Sequence, residues 1–412
     1  MIGISKFEQY FRREGGFLMG RFVPLSIPNF EGNERKYVND AIEQGWVSTG
    51  GAYILKLEKG LAEFLNTDSV AACQSGTSGI HLSLVECGVQ PGDMVLVPTL
   101  TFIAAVNPVR YQFANPVFID CDDSLCMDPD KLRAFCEREC RLEEGSLIHK
   151  LSRKCIKAVV VVHVFGNLAD MEKIMEVASE YHLKVIEDAT EALGSYYIKG
   201  RYAGKHAGTI GDFGVYSFNG NKIITTGGGG AVTARDAETV AHIRYLSTQA
   251  KDDEQYYVHH EVGYNYRMTN LQAALGVAQL EELPEFIFRK HKNYELYQEC
   301  FEGFPFGKLL GFRNGIYSNQ WFYSLEISMD RMQGTLRDII KQLQDMGVQT
   351  RAVWQLIHEQ VPYREAIAYQ IDRASYYSSC ILNIPSSTQI TEDDIRYVVG
   401  QVKKVLGEMA DE

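Results

Sequence analysis

Short apolar runs alternate with amphipathic segments from about residue 68 to residue 235. DMVLVP (93–98), PVFIDCD (116–122) and LKVIED (183–188) are typical of β-strands, and DMVLVP lies between a Pro-Gly pair and a final proline. KAVVVVHVFG (157–166) is almost continuously apolar, as expected of a strand buried on both faces of a parallel sheet. Strand, helix, strand and helix in this order predict an α/β fold, with a mostly parallel sheet covered by helices.

Helix start signals lie between these strands. Asp128 followed by Pro129 predicts an N-cap and a first helical position for DKLRAFCEREC, and Asp170 caps MEKIMEVASEYH. Residues 270–283 carry apolar side chains at helical spacing, and we expect that helix to end at Pro284.

A second, smaller α+β unit is predicted in the C-terminal part of the chain. From about residue 316, YSNQWFYSLEIS is typical of a strand, TLRDIIKQLQDMG of a helix and ITEDDIRYVVGQVKKVL of a closing helix. No Pro- or Ser-rich linker precedes this unit, so we expect the two units to pack together. We predict a large domain over 1–285, with its N-terminal segment 1–35 partly extended, and a small domain over 286–412.

Length and composition narrow the class of protein. A chain of 412 residues should divide into two or three domains, and 45% hydrophobic with 23% charged residues is typical of a soluble globular protein. The formal net charge of -12 argues against a nucleic-acid partner, so any anionic ligand must be bound by a local group of donors.

The cysteines and the N-terminal stretch indicate a cytoplasmic protein. The nine cysteines are scattered, and no second pair at zinc-site spacing accompanies Cys136 and Cys140, so we expect reduced, mostly buried thiols and no metal. MIGISKFEQYFRREGGFLMG lacks the sustained apolar segment of a secretory signal. No window reaches the ~18 uninterrupted apolar residues of a membrane helix.

Polar residues follow directly on three of the apolar strands. They are Ser75-Gly-Thr-Ser78 after SVAACQ, Glu187-Asp188 after LKVI, and the stretch from Ser217 to Gly230 after FGVY. In open parallel sheets ligands bind outside the carboxyl ends of the strands, so we expect these three places to share one pocket.

Lys222 is the candidate nucleophile. A single lysine is usually a solvated surface group, but apolar FGVYSF precedes Lys222 and Ile223 and Ile224 follow it, so we expect it near the core. A buried amine loses its proton more easily and is then available to attack a carbonyl carbon. Ser217, five residues upstream, is able to donate a hydrogen bond to an anion.

Three other features have a structural and a functional interpretation each. Asp188 is either a cap or ion-pair partner, or the counter-ion of a protonated ring nitrogen. The segment from Gly76 to Ser78 opens an apparent helix, which suits an ordinary cap or a bound phosphate. Phe102 is either a core residue or a ring that stacks on a ligand. With the amine of Lys222, these groups form the set that pyridoxal phosphate requires.

Several motifs occur in an order that is specific to one family. They are SGTSG, PTLTFIAA, VHVFGNLADM, EDATEALGS, GDFGVYSFNGNKIITTGGGG, GYNYRMTNLQAALGVAQLE and TRAVWQLIHEQVPY. On these motifs, over about residues 24–387, the sequence resembles the DegT/DnrJ/EryC1/StrS family of pyridoxal-phosphate sugar aminotransferases, which have the fold-type I architecture. It is most similar to the branch that acts on UDP-linked 4-keto-6-deoxy-N-acetylhexosamines, on routes to legionaminic acid or bacillosamine.

The resemblance implies a role for each candidate residue. Lys222 forms the imine with the cofactor, Asp188 pairs with the pyridine nitrogen, and Phe102 stacks on the ring. A group of small and hydroxyl-bearing residues holds the phosphate. This group is Gly76, Thr77, Ser78 and Ser217. Asn265, in GYNYRM, reaches the partner's phosphate in a homodimer with shared active sites, and Thr49, in GWVSTGG, lines the sugar pocket.

Two positions depart from the family pattern. Glu191 stands where most members have a glutamine beside the cofactor's phenolic oxygen, and a carboxylate there repels a phenolate unless it is protonated or paired. Gly228 replaces the glutamate of a GEGG motif. His163, His358 and Tyr363 fall in recognisable motifs without an assigned role.

The resemblance implies a two-stage transamination. L-Glutamate gives its amine to the cofactor, and a nucleotide-linked 4-keto-6-deoxy-N-acetylhexosamine then receives it and becomes a 4-amino sugar. A sugar 3-dehydratase is the nearest alternative, but those relatives carry a histidine where this chain has Lys222. A non-catalytic cofactor-binding regulator usually has a DNA-binding module, and the sequence offers none.

Overall fold

The computed structural model describes residues 21–253 and 255–410. Within this part of the chain there are eleven α-helices. They are α1 (Glu34–Glu43), α2 (Ala52–Leu65), α3 (Gly76–Glu86), α4 (Asn107–Tyr111), α5 (Pro129–Glu139), α6 (Met171–Glu180), α7 (Ala237–Ser247), α8 (Asn270–Phe301), α9 (Leu336–Asp345), α10 (Arg373–Cys380) and α11 (Glu392–Met409). None of these helices is both long and apolar enough to cross a bilayer.

Sixteen β-strands lie in the same described ranges. They are β1 (Val70–Cys73), β2 (Met94–Pro98), β3 (Asn115–Ile119), β4 (Cys140–Glu143), β5 (Ser146–His149), β6 (Cys155–Val162), β7 (Lys184–Asp188), β8 (Tyr196–Tyr197), β9 (Phe213–Ser217), β10 (Gly230–Ala234), β11 (Gly307–Leu309), β12 (Ile316–Tyr317), β13 (Tyr323–Ile327), β14 (Arg351–Ala352), β15 (Ile367–Tyr369) and β16 (Ile381–Ile384).

The large sheet has the strand order β1-β10-β9-β7-β6-β2-β3-β15, and the β4–β5 hairpin joins it through β6. Strands β9, β7, β6, β2, β3 and β15 run parallel, whereas β10 is antiparallel to both of its neighbours. Every residue of β2 is buried, so both faces of the sheet are covered at its centre. The predicted mostly parallel sheet covered by helices is confirmed.

The helix starts agree with the sequence, but one predicted helix end is wrong. Asp128 and Asp170 each accept hydrogen bonds from backbone N–H groups of the first turn of α5 and α6. Helix α8 does not end at Pro284 but continues to Phe301. Proline removes one helical hydrogen bond, yet Phe286, two residues later, is buried in the core, and this packing outweighs the local loss.

The C-terminal unit contains a four-stranded antiparallel sheet in the order β11-β13-β16-β14. Its hydrophobic core includes side chains of α8, α9 and α11 and is separate from the core around the large sheet. Helix α8 contributes to both cores, with Phe286 in the first and Tyr297 in the second. The predicted division at 285/286 falls inside this helix and stays a prediction.

Two other segments bear on that division. Strand β15, although late in the chain, pairs in parallel with β3 at the edge of the large sheet. Near the start of the described chain, Val23 pairs with Val348 of the C-terminal unit. Of the segment 1–35, which we predict to be partly extended, residues 1–20 lie outside the described residues.

The carboxylate of Asp120 joins the large sheet to the C-terminal unit. It follows β3, is fully buried, and accepts the backbone N–H groups at the start of α10. Lys131 Nζ lies 2.6 Å from this carboxylate and 2.8 Å from that of Asp372, whose side chain is 80% exposed. One lysine therefore has a buried and an exposed partner.

These two partners should differ in their contribution to stability. We expect Asp120→Ala to lower the free energy of unfolding by about 3 kcal/mol, because it leaves buried donors and a half-buried cation unpaired. Asp372→Ala, the matched control, should cost less than about 1 kcal/mol because solvent screens the exposed pair. Urea denaturation of both variants measures the difference, and equal losses would contradict the interpretation.

Candidate functional site

The carboxyl ends of β1, β7 and β9 open onto one cavity of about 740 Å³. The structure thus brings the three polar strand ends together. Seven of the predicted site residues line the cavity. They are Gly76, Thr77, Phe102, Asp188, Glu191, Ser217 and Lys222.

The start of helix α3 presents unused backbone donors to the cavity. Ser75 is the N-cap, and its hydroxyl accepts the N–H of Ser78. The N–H groups of Gly76 and Thr77, at the first two helical positions, have no acceptor within the helix. The Ser78 hydroxyl, which donates to the Ser75 carbonyl oxygen, is used inside this cap and does not line the cavity.

Two glycines allow close packing at this helix start. A Cβ on Gly76 would lie 2.8 Å from Thr190 Cγ2 and 3.1 Å from the Cβ of Ser217. A Cβ on Gly230 would lie 2.6 Å from the carbonyl carbon of Ser75. The glycine run after Lys222 therefore lets β10 pass directly against the N-terminus of α3.

Asp188 is a buried carboxylate at the end of β7. It is 4% exposed, and its Oδ1 accepts the backbone N–H of Thr190. Burial raises the pKa of the Asp188 carboxyl, and the hydrogen bonds from Thr190 and the charge of Lys222 oppose this effect only in part. A cationic partner in the cavity would stabilise the charged form of this group.

Glu191 is paired in this structure. Its Oε1 lies 3.3 Å from Lys222 Nζ, and its Oε2 accepts the N–H of Phe165 at 2.9 Å. Phe165 has a left-handed backbone (φ 55°), which is unusual for a large side chain. Burial raises the pKa of the Glu191 carboxyl. Both effects reduce the repulsion that a free carboxylate would exert on a neighbouring anionic oxygen.

Trp321 holds Lys222 from a second side, and the sequence interpretation missed it. The Lys222 Nζ lies 4.0 Å from the centroid of the indole ring, a cation–π distance. The indole Nε1–H donates to the carbonyl oxygen of Asn221, the residue before Lys222, at 2.7 Å. Trp321 lies in a segment predicted only as a strand, so its pattern carried no signal of this contact.

Of the remaining candidate residues, Phe102 lines the cavity, whereas Thr49, Asn265 and His163 do not. Phe102 is 56% exposed and lines the cavity, so it is not a core residue. Thr49 and Asn265 are exposed and do not line the cavity of their own chain. His163 Nε2 lies 2.9 Å from the buried Glu187 carboxylate, outside the cavity lining.

His358 and Tyr363 also lie outside the cavity lining. The Nδ1 of His358 lies 2.6 Å from the hydroxyl oxygen of Thr99, and the Tyr363 hydroxyl donates to the side-chain oxygen of Asn107. Gly228, the second departure from the family pattern, lines the cavity. Its carbonyl oxygen accepts hydrogen bonds from two neighbouring side chains.

A family model for the DegT/DnrJ/EryC1/StrS aminotransferase family matches residues 28–403, most of the chain. The chain belongs to this family. The aminotransferase is 34% identical over 394 residues to a GDP-perosamine synthase from Caulobacter vibrioides, covering 93% of this chain and 98% of that protein. It is 33% identical over 381 residues to the putative pyridoxal phosphate-dependent aminotransferase EpsN from Bacillus subtilis, covering 91% and 94% of the two chains.

Solved structures agree with this membership. The aminotransferase TlmJ from Streptoalloteichus hindustanus superposes with a TM-score of 0.83 at 26% identity, covering 94% of this chain and 99% of that one. DesI, solved in the presence of its TDP-sugar product, gives a TM-score of 0.82 at 26% identity, covering 94% of each chain. The predicted fold-type I architecture is confirmed.

The cofactor of the aminotransferase is pyridoxal phosphate. The cavity residues fit this group. An amine, two unused backbone N–H groups and a buried acid whose charged form lacks a strong cationic partner provide matching chemistry for an aldehyde, a phosphate and a pyridinium nitrogen.

The buried acid should destabilise the cofactor-free protein at neutral pH. Because the pKa of Asp188 is higher in the folded than in the unfolded chain, the folded chain binds more protons, and stability falls as pH rises above the ordinary carboxyl range. We expect Asp188→Asn to raise the unfolding temperature at about pH 8 and to differ little from wild type near about pH 4. Thermal unfolding followed by circular dichroism across this range checks the difference.

Asp236 provides a control of opposite sign. It caps α7, and the N–H of Thr239 lowers the pKa of its carboxyl. Its stabilisation is therefore present above the ordinary carboxyl pKa and lost as pH falls. Asp236→Ala should lower the unfolding temperature at neutral pH, and an Asp188→Asn variant that behaves in the same way would contradict the burial argument.

Proposed function

We propose that the aminotransferase moves the amine of L-glutamate to the keto group of a nucleotide-linked 4-keto-6-deoxy sugar and forms a 4-amino sugar. The observation that carries this proposal is the amine of Lys222, held between Glu191 and the ring of Trp321 in a cavity that also contains Asp188. These contacts hold the amine inside the cavity, where it acts as a nucleophile and a proton carrier once it has lost its own proton.

Each half-reaction requires Lys222 to move a proton. Bound pyridoxal phosphate supplies the aldehyde carbon and an electron-withdrawing ring. In the donor half-reaction Lys222 Nζ would accept the proton from the carbon that carries the donor amine and pass it to the former aldehyde carbon of the cofactor. In the acceptor half-reaction it would carry a proton from that carbon to the sugar carbon that receives the amine. When the amine is free, Glu191 Oε1 and the indole face hold it in the cavity. The Asp188 carboxylate would favour a proton on the pyridine nitrogen.

The phosphate is assigned to the start of α3. The N–H groups of Gly76 and Thr77 point along the positive end of the helix, and the Ser217 hydroxyl lies beside them on β9. Phe102, exposed at the cavity, provides an aromatic face for the ring. We assign no phosphate contact to the Ser78 side chain, since its hydroxyl is used in the helix cap.

Two sugar nucleotides are candidates for the acceptor. The resemblance to the legionaminic-type branch favours a UDP-linked 4-keto-6-deoxy-N-acetylhexosamine. The relative named GDP-perosamine synthase, at 34% identity across nearly its whole length, favours a GDP-linked sugar. Both candidates share the keto group that receives the amine.

Lys222→Ala tests the proposed reaction, and a panel of sugar nucleotides tests the acceptor. Glutamate should bleach the cofactor absorbance of the wild-type enzyme, and Lys222→Ala should lower turnover by at least ~10²–10⁴-fold because the proton carrier is lost. Lys199→Ala, at an exposed position, is the control. The wild-type enzyme is also incubated with a panel of UDP- and GDP-linked 4-keto sugars. Mass spectrometry and NMR of the products identify the acceptor. Wild-type turnover by Lys222→Ala would refute the proposal.

We also propose that the active enzyme is a homodimer with shared sites. Thr49 and Asn265 do not line the cavity of their own chain, yet both are exposed. Beside Thr49, Trp46 is 61% and Val47 43% exposed, an apolar surface that a second copy would cover. In this arrangement Asn265 and Thr49 complete the cavity of the partner subunit.

Mixed dimers test this arrangement. Lys222→Ala disables the site of its own chain, whereas Asn265→Asp should disable the partner's site by placing a negative charge beside the phosphate. Random pairing of the two variants makes half of the dimers mixed, each with one intact site, so we expect about a quarter of wild-type activity. Activity no greater than that of the two variants measured separately would contradict sharing.

A further inference from the structure

Lys290, on the long helix α8, is a buried lysine that the proposed reaction does not use. Its side chain is 2% exposed, and burial lowers the pKa of its amine to about 7. Among residues 21–253 and 255–410, no carboxylate forms an ion pair with it. An ammonium group without a charged partner is costly to bury, so this position requires strong hydrogen bonds.

The amine of Lys290 donates to three oxygen atoms. It lies 2.7 Å from the carbonyl oxygen of Trp321 and 3.2 Å from Ser386 Oγ, and it also contacts the carbonyl oxygen of Ser386. The Ser386 hydroxyl itself donates to the carbonyl oxygen of Trp321 at 3.1 Å. An ammonium group has three protons, so these acceptors use all of its donors. The backbone of Trp321 is thereby fixed to helix α8.

Trp321 ends a short segment, 318–321, that reaches the surroundings of Lys222 from two sides. Asn319 in this segment is fully buried, and its Nδ2 donates to the carbonyl oxygen of Glu191 at 3.0 Å. Its Oδ1 accepts the backbone N–H of Trp321 at 3.0 Å. The indole ring of Trp321 contacts the amine of Lys222. The position of this segment therefore determines how the amine is held.

The backbone of the same segment is in an unfavourable conformation. Gln320 has a φ of 50°, in the left-handed region that residues with a side chain rarely adopt. A residue keeps such a conformation only where the surrounding contacts fix it. Lys290 provides one of these contacts, because it binds the carbonyl oxygen of the next residue, Trp321.

Lys290 lies behind the part of the cavity wall that Lys222 and Trp321 form. Lys222 and Trp321 line the main cavity, whereas Lys290 does not. All three residues line a separate void of about 10 Å³, which is far too small for an amino acid or a sugar. Lys290 therefore acts on the reaction through its neighbours and not by contact with a substrate.

We propose that Lys290 is a positioning residue that holds the carbonyl oxygen of Trp321 and so keeps the indole ring against the Lys222 amine. The proposal rests on the function proposed above, in which this amine carries the proton. Displacing a reacting group by about 1 Å is enough to slow a reaction about 100-fold. Loss of the Lys290 amine should therefore slow proton transfer without weakening the binding of glutamate.

Lys290→Met keeps nearly the same side-chain length and removes the donors. We expect the maximum rate at which glutamate bleaches the cofactor absorbance to fall about 10–100-fold. The glutamate concentration that gives half of this maximum should change less than about threefold, since binding is not affected. Lys290→Arg, which keeps the charge and N–H donors, should recover part of the rate. Lys292→Met, at an exposed position of the same helix, is the matched control.

A double variant separates positioning from a general structural role. Trp321→Phe removes the indole N–H and weakens the cation–π contact, so it should itself slow the reaction. If Lys290 acts through this ring, adding Lys290→Met to Trp321→Phe should lower the maximum rate by less than about threefold more. Two losses that multiply in full would overturn the proposal, because they would show that Lys290 acts independently of the ring.

Near-UV circular dichroism of the cofactor-free protein gives a readout that does not depend on turnover. An indole ring fixed in an asymmetric environment contributes to this signal. The part of the signal that Trp321→Phe loses should also be lost in Lys290→Met and kept in Lys292→Met. If Lys290→Met does not fold, Lys290→Gln, which has a shorter and uncharged side chain, replaces it in each comparison.

Each result decides the proposal. A wild-type dichroism signal in Lys290→Met would overturn it, and so would an unchanged maximum rate of bleaching. If the wild-type enzyme is not bleached by glutamate, the proposed function fails. The dichroism spectra still decide whether Lys290 holds the ring of Trp321 in place.

Discussion

The site depends on one ion pair between two largely buried groups, Lys222 Nζ and Glu191 Oε1. In a low-dielectric environment an unpaired ammonium or carboxylate is strongly unfavourable, so each group constrains the other. Glu191 in turn holds Phe165 in its left-handed backbone, and Trp321 holds the backbone before Lys222. The amine of Lys222 is thus fixed by contacts from distant parts of the sequence.

The same contacts show how the cavity accommodates a second acid, Glu191. Glu191 adds a second carboxyl to a cavity that already contains Asp188, and burial raises the pKa of both carboxyls. The cofactor-free enzyme accommodates this charge by directing one carboxylate to Lys222 and to the N–H of Phe165. Burying the two carboxyls lowers the stability of the folded chain, but it leaves the site already arranged for its ligands.

Local sequence signals predicted the large sheet and the helix starts well, because apolar runs and the caps at Asp128 and Asp170 act over a few residues. The end of α8 was wrong because the core packing of Phe286 overrides the local effect of Pro284. Residues at strand ends were predicted to converge, and they do. Trp321 was missed because it comes from a distant part of the chain and meets Lys222 only in the folded structure, which no local pattern encodes.

Helix α8 contributes side chains to both hydrophobic cores, and β15 returns from the C-terminal unit to pair with β3. A swinging motion of one unit against the other would have to bend a continuous helix and break a strand pairing. The spacing between the Lys222 amine and the opposite wall of the cavity is therefore set by the fold. An enzyme of this kind selects its substrates by whether they fit a fixed distance across the cavity. A different substrate preference would then arise through substitutions of side chains on the opposite wall.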